Sequence, residues 1–186
     1  MSTQPMTILG AGLVGSLLSI YLKRRGYEVD IYERRPDLRR AGAYGGRSIN
    51  LALSDRGFAS LKRIGLDDEI RKVGIPMHGR MMHDVQGQLT YQPYGKDGQS
   101  IYSVSRGGLN FKLMDLAEAE GVRLHFNLRC TDVDLDGQTL HFEHGETRQK
   151  MSLPYERLFG TDGAFSALRA SMMKTDRFEY SQDYLP

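Results

Sequence analysis

Disulfide bonds, a membrane span and a large net charge are all missing from this sequence. Cys130 is the single cysteine among 186 residues, which excludes an internal disulfide and favours a reducing compartment. No apolar run approaches the ~18 residues of a membrane-spanning helix. The N-terminus also lacks the charged and apolar regions of a signal peptide. We therefore expect a cytoplasmic protein.

Signals for metal binding, nucleic-acid binding and serine hydrolysis are also absent from the sequence. Lysine and arginine number 25 against 23 aspartate and glutamate, so the formal net charge of +2 does not indicate a nucleic-acid partner. The 5 histidines lack the spacing of metal ligands, and the sequence contains no Gly-x-Ser-x-Gly. We therefore expect no metal site, and we assign no catalytic side chain.

An apolar run near the N-terminus leads directly into a glycine-rich turn and a helix. Residues 6–15 read MTILGAGLVG, which contains the spacing Gly-x-Gly-x-x-Gly, and apolar residues at helical spacing follow. A second strand at 28–32 ends at Glu33, which lies 18 positions after Gly15. This order of strand, turn, helix, strand and acidic residue predicts a Rossmann-like dinucleotide-binding unit.

Each part of this motif has a separate role in holding a dinucleotide. Gly10 permits the tight turn, Gly12 lets a pyrophosphate approach the backbone, and Gly15 lets the helix pack closely on the strand. The helix N-terminus offers free N–H groups and a partial positive charge to the phosphates. Glu33 would accept hydrogen bonds from the adenosine ribose. The motif alone leaves open whether the ligand is FAD or NAD.

Strands alternate with helices along the rest of the chain, and an antiparallel ribbon interrupts them. We predict a hairpin at 78–91 that turns at Gln86-Gly87, and a ribbon at 133–142 that turns at Asp136-Gly137. Ser54 and Ser105 are the predicted caps of two helices. The pattern predicts an α/β fold with a mainly parallel sheet.

Several segments resemble the FAD-dependent aromatic hydroxylases that share the fold of p-hydroxybenzoate hydroxylase. They are the glycine-rich turn, Glu33-Arg34-Arg35, Ser105-Arg106 at a helix start, and GTDGAFSALR at 160–169. Within this class the sequence is similar to the kynurenine 3-monooxygenase family in longer segments. These are GRSINLALS at 46–54, GRMMH at 79–83, QPYG at 92–95 and FEYSQ at 178–182.

The resemblance implies a flavin monooxygenase of tryptophan degradation. Such an enzyme uses FAD, NADPH and O2 to hydroxylate L-kynurenine to 3-hydroxykynurenine. The family is substantially longer than 186 residues, so this chain is expected to be its N-terminal part and to be inactive alone. The implied organisation is an incomplete FAD-binding domain at 1–173, with a substrate-facing hairpin at about 76–100, and the beginning of a substrate domain at 174–186.

Residue roles follow from the same resemblance. The residues implied at FAD are Gly10, Gly12, Leu13, Val14 and Gly15 at the pyrophosphate, Glu33 at the ribose, Arg34 or Arg35 near the adenosine, and Ala52, Arg106, Cys130, Asp162 and Ala167 elsewhere along the cofactor. Arg80 is implied as the ligand of the substrate carboxylate, with Tyr94 as its hydroxyl partner.

Two other interpretations of the same motifs remain open. One is a flavin-dependent hydroxylase or halogenase of another aromatic substrate, which would have no use for Arg80 if that substrate lacks an amino-acid carboxylate. The other is a non-catalytic nucleotide-binding module, which would not hold a flavin tightly. The colour and absorbance of the purified protein distinguish the second from either enzyme.

Overall fold

The computed structural model of the chain describes residues 5–40 and 49–174. The chain divides into two compact units, the first made of Met1–Ala43 and Lys112–Pro186 and the second of Tyr44–Phe111. The first unit therefore consists of two parts that are far apart in sequence. The start of the 46–54 motif, the 178–182 motif and nearly all of the predicted substrate-domain segment lie outside the described residues. The domain boundary at 173 thus stays a prediction.

Short strands and helices follow one another through both units. In chain order the strands are β1 (Met6–Leu9), β2 (Val29–Tyr32), β3 (Asn50–Leu53), β4 (Ile75–Met77), β5 (Gly79–His83), β6 (Leu89–Pro93), β7 (Ile101–Ser105), β8 (Arg123–His125), β9 (Leu128–Asp134), β10 (Thr139–His144), β11 (Lys150–Pro154) and β12 (Arg157–Gly160). The helices are α1 (Leu13–Lys23), α2 (Asp55–Lys62), α3 (Asp67–Val73), α4 (Arg106–Ala119) and α5 (Ala167–Met172).

A parallel sheet in the order β12-β1-β2-β8 organises the first unit. All four residues of β1 are buried, as expected for an interior strand of a parallel sheet that is covered on both faces. α1 connects β1 to β2, and Gly26, with a φ of +86°, follows its end in the left-handed conformation. The predicted strand–turn–helix–strand unit is therefore present.

An antiparallel ribbon of β9, β10 and β11 completes the first unit. Its alternating apolar residues Val133, Leu140 and Phe142 are buried in one cluster with Leu9 of β1 and Tyr155. This cluster fixes the ribbon beside the strand that carries the glycine-rich turn. Together with the parallel sheet, the ribbon confirms the predicted α/β class.

The second unit contains two small antiparallel sheets and the helices α2 and α3. The order β3-β7-β4 forms one sheet, and β5 and β6 form a separate hairpin. Ser54 is the N-cap residue of α2 as predicted, but its side chain makes no capping bond. The Ser105 hydroxyl, in contrast, accepts a hydrogen bond from the Gly108 N–H at 3.2 Å. Among the residues described in both units, no helix is long and apolar enough to cross a membrane.

Candidate functional site

The first and third glycines of the turn are required by the packing of the protein itself. Gly10 has a φ of +95°, and a Cβ atom there would lie 2.6 Å from the Thr161 carbonyl oxygen. A Cβ atom on Gly15 would lie 2.0 Å from the Gly10 carbonyl oxygen and 2.5 Å from Thr161 Oγ1. Any side chain at either position would therefore displace the backbone of the turn.

The middle glycine has no such internal reason to be a glycine. Gly12 has an ordinary φ of −75°, and within residues 5–40 and 49–174 no atom outside its two chain neighbours lies within 4 Å of the position that its Cβ would take. It is the N-cap residue of α1, where no side chain of the described residues accepts a bond from the first-turn N–H groups. The open space and the unused donors together fit an anionic group such as a pyrophosphate.

Glu33 ties the end of β2 to the glycine-rich turn. Its side chain is buried, with Oε2 accepting from the Ala11 N–H at 2.9 Å and Oε1 accepting from Arg35 N and Nε at 3.0 and 2.8 Å. Burial raises the pKa of Glu33, but the hydrogen bonds and charge of Arg35 and the Ala11 N–H outweigh this effect and lower it. A carboxylate offers about four acceptor positions, so the ionised Glu33 keeps about one for a ribose hydroxyl.

We expect Glu33→Gln to weaken FAD binding by about 1.5–3 kcal/mol, because the amide has only one acceptor oxygen and no charge. The measurement is the FAD dissociation constant of the full-length gene product. Glu28→Gln is the matched control, since Glu28 is exposed and lies at the other end of β2. Equal FAD affinity in the Glu33 variant and the wild type would show that the ribose is held elsewhere.

The segment after β12 closes the turn from the other side. Thr161 Oγ1 lies 2.7 Å from the Leu9 carbonyl oxygen and 2.8 Å from that of Gly10, so the hydroxyl donates to this pair of acceptors. Asp162 Oδ2 accepts from the Ala167 N–H at 2.8 Å, at the first residue of α5. Asp162 Oδ1 is buried without a hydrogen-bond partner among the described residues. A buried carboxylate oxygen without a donor fits a ligand that supplies one.

We expect Asp162→Asn to weaken FAD binding by about 1.5–3 kcal/mol while the stability of the FAD-free protein is kept or increased. The amide oxygen can still accept from Ala167, but the amide nitrogen would face any donor of the cofactor. FAD titration and thermal unfolding of the FAD-free protein separate the two effects. Asp136→Asn, in the exposed turn of the ribbon, serves as the control. A loss of stability without a loss of FAD affinity would contradict the cofactor role.

Cys130 lies on β9, close enough to Asp162 to feel its charge. Burial, followed by the nearby negative charge of Asp162, raises the pKa of Cys130 to about 12. The side chain is therefore a neutral thiol at physiological pH, which makes it a small apolar residue and not a nucleophile.

The predicted FAD residues fall into both units. The first unit carries Gly10, Gly12, Leu13, Val14, Gly15, Glu33, Arg34, Arg35, Cys130, Asp162 and Ala167. Of these, Arg34 and Arg35 are both exposed, and Arg35 donates hydrogen bonds to Glu33. The second unit carries Ala52, exposed on β3, and Arg106, exposed at the first position of α4. These assignments stay predictions.

The predicted substrate residues lie on the exposed hairpin of the second unit. Arg80 on β5 pairs with Gln92 on β6, and Arg80 Nε donates to Gln92 Oε1 at 2.7 Å. The Tyr94 N–H donates to the His78 carbonyl oxygen at 2.9 Å, which extends the ladder by one pair. Since side chains alternate between the two faces of a hairpin, Arg80, Gln92 and Tyr94 lie on the same face.

Three contacts made by or beside the predicted site residues were not predicted from the sequence. They are the Thr161 hydroxyl on the turn, the Arg35 bonds to Glu33, and the Gln92 bond to Arg80. Thr161 and Gln92 lie inside segments 160–169 and 92–95, which carry the family resemblance. Both could therefore have been chosen as candidate site residues. Their partners are set by the tertiary structure and carry no local sequence signal.

Comparison with known proteins agrees with the motifs. The chain matches the family described as FAD binding domain over residues 3–183. Kynurenine 3-monooxygenase from Myxococcus xanthus is 52% identical over 182 residues, covering 97% of this chain and 39% of that protein. The protein of the same name from Anopheles gambiae is 43% identical over 189 residues, covering 100% of this chain and 39% of that protein. The predicted resemblance is therefore confirmed.

Solved structures show the same fold at low sequence identity. The p-nitrophenol 4-monooxygenase of Pseudomonas putida has a TM-score of 0.75 and 20% identity, covering 91% of this chain and 43% of that chain. The myxobacterial chondrochloren halogenase has a TM-score of 0.68 and 19% identity, covering 87% of this chain and 37% of that chain. The chain thus spans about two-fifths of the length of the curated relatives it matches.

Proposed function

Because this chain belongs to the FAD-binding domain family and is similar to kynurenine 3-monooxygenases along nearly its whole length, we propose that it is the N-terminal, FAD-binding part of such an enzyme. The full-length enzyme hydroxylates L-kynurenine to 3-hydroxykynurenine with NADPH and O2. The observation that carries the proposal is the identity of 52% and 43% to two kynurenine 3-monooxygenases from distant organisms. Residues 1–186 alone make no product, because they span about two-fifths of those relatives.

The first unit holds the adenosine and pyrophosphate of FAD. The open side of Gly12 and the first-turn N–H groups of α1 bind the pyrophosphate, and the remaining acceptor position of Glu33 binds the ribose. Asp162 Oδ1 accepts a hydrogen bond from the cofactor. When bound, the flavin supplies the redox chemistry that joins NADPH oxidation to the use of O2.

The hairpin of the second unit recognises the amino-acid end of L-kynurenine. Arg80 is a cation whose terminal nitrogens have no partner in the part of the chain that the structure describes, and Tyr94 adds a hydroxyl on the same face. An arginine binds a carboxylate through two parallel N–H···O bonds, which fixes the substrate in direction as well as in position. Arg80 and Tyr94 bind and orient the substrate without exchanging a proton with it.

The remaining parts of the proposal rest on composition and on the family. NADPH binds transiently, as in the family, and residues 1–186 agree with this in containing no second Gly-x-Gly-x-x-Gly. The protein is cytoplasmic and has no nucleic-acid partner, in agreement with its single cysteine and balanced charge.

The test is purification of the full-length gene product, followed by its absorbance spectrum and an assay of NADPH oxidation. We expect bound flavin, NADPH oxidation that L-kynurenine stimulates, and 3-hydroxykynurenine as the product. p-Hydroxybenzoate is the control, since it lacks an amino-acid carboxylate. Bound flavin without hydroxylation of kynurenine would indicate another substrate. A protein that holds no flavin would indicate a nucleotide-binding module.

A further inference from the structure

We propose that Gln92 positions the Arg80 guanidinium so that its two terminal nitrogens, Nη1 and Nη2, face the substrate carboxylate. This inference rests on the proposed function and adds a residue to the proposed substrate site. Gln92 acts through Arg80 and does not itself contact the substrate.

The backbone of the hairpin brings the two residues together. β5 and β6 are antiparallel, and Arg80 is directly opposite Gln92 in their register. Directly opposed residues point to the same face, with Cβ atoms about 4.5–5.5 Å apart. The amide oxygen Oε1 of Gln92 accepts from Nε of Arg80 at 2.7 Å, which is a short hydrogen bond.

The use of Nε decides which donors remain. A guanidinium has five N–H donors, one on Nε and two on each terminal nitrogen. Nη1 and Nη2 of Arg80 have no hydrogen-bond partner among residues 5–40 and 49–174. With Nε bound to Gln92, the guanidinium presents the terminal pair end-on, and that pair matches the two oxygens of a carboxylate.

The neutrality of Gln92 matters as much as its hydrogen bond. The side chains that share a face with Arg80 in the paired part of the hairpin are those of His78, Met82, Thr90, Gln92 and Tyr94, and none of these is acidic. The acidic residue next along this face, Asp84, lies at the turn, where its carboxylate accepts from the Gln86 and Gln88 N–H groups. A glutamate at position 92 would accept the same bond but would neutralise the guanidinium. An amide restricts the arginine and leaves its full positive charge for an anionic ligand.

The experiment compares Gln92→Leu and Gln92→Glu with the wild type in the full-length gene product. We expect Gln92→Leu to raise the KM for L-kynurenine about tenfold, the size of one lost hydrogen bond to a charged group. The kcat and the flavin spectrum should stay unchanged. Gln92→Glu should raise the KM at least as much, although it preserves the shape and the hydrogen bond. Gln88→Leu makes the same chemical change at the turn of this hairpin and should have no effect.

A double mutant separates positioning from direct binding. In an Arg80→Met background, Gln92→Leu should cause no further increase in KM, because Gln92 has no other role at the site. Equal KM values for the wild type and Gln92→Leu, or a Gln92→Glu variant that behaves as wild type, would overturn the inference. Failure of the proposed function is distinct, since the wild type itself would then not hydroxylate kynurenine.

Discussion

Replacement of Gly12 by valine is expected to abolish FAD binding by the full-length gene product while its fold stays intact. The valine side chain would occupy the open space beside the first turn of α1, where the pyrophosphate approaches the backbone. The backbone has an ordinary φ, and in the described part of the chain no atom outside the two adjacent residues lies within 4 Å of the new Cβ, so the Cβ atom itself fits without a clash. Loss of glycine from the N-cap costs about 1 kcal/mol.

The measurement is flavin content after purification, together with far-UV circular dichroism and thermal unfolding of the FAD-free protein. Gly15→Ala is the informative contrast, because its Cβ would lie 2.0 Å from the Gly10 carbonyl oxygen. That variant should lose stability as well as flavin. A folded Gly12→Val protein with normal flavin content would show that the glycine-rich turn does not hold the pyrophosphate.

Replacement of Arg80 by methionine is expected to reduce kynurenine binding by about 2–5 kcal/mol, because the substrate carboxylate loses its paired cation. Lysine should restore only part of the affinity, since a point charge cannot form two parallel bonds. FAD affinity should barely change, because Arg80 lies on the β5–β6 hairpin and not on the glycine-rich turn. Kynurenine titrations monitored by flavin absorbance measure the substrate affinity, and FAD titration of the FAD-free protein measures the cofactor affinity.

Two controls define the Arg80 result. Arg56→Met removes an exposed arginine from α2 and should leave kynurenine binding unchanged. An analogue of kynurenine without the carboxylate should bind the wild type and Arg80→Met nearly equally. If the two proteins bind kynurenine itself with equal affinity, Arg80 is an ordinary surface residue and the assignment of the substrate site is wrong.

The sequence predicted those parts of the fold that follow from local patterns. The glycine-rich turn, α1 and β2 are recognisable because glycine spacing, helical periodicity and an acidic residue occur within one short segment. The β5–β6 hairpin and the ribbon were predictable from alternation around Gln86-Gly87 and Asp136-Gly137. In each case the signal and the structure that it predicts lie within a few residues of each other.

Contacts between distant segments were not predictable in the same way. The Thr161 hydroxyl reaches the carbonyl oxygens of Leu9 and Gly10 across more than 150 positions, and no pattern near Thr161 specifies that contact. Glu33 was predicted as a ribose ligand. The structure shows in addition that its carboxylate accepts hydrogen bonds from Ala11 and Arg35, which connect the end of β2 to the glycine-rich turn. Such roles depend on which side chains the sheet brings together.

The pairing of β1 with β12 has a consequence for synthesis on the ribosome. β1 is complete at Leu9, but β12, the parallel strand on one of its two sides, ends at Gly160. Translation at about 5–20 residues per second therefore leaves one side of this apolar strand unpaired for roughly 10–30 s. An unpaired edge of this kind promotes aggregation of the nascent chain. The turn closes only after Thr161 has been synthesised, so the nucleotide site cannot form until more than 150 residues have been added after β1.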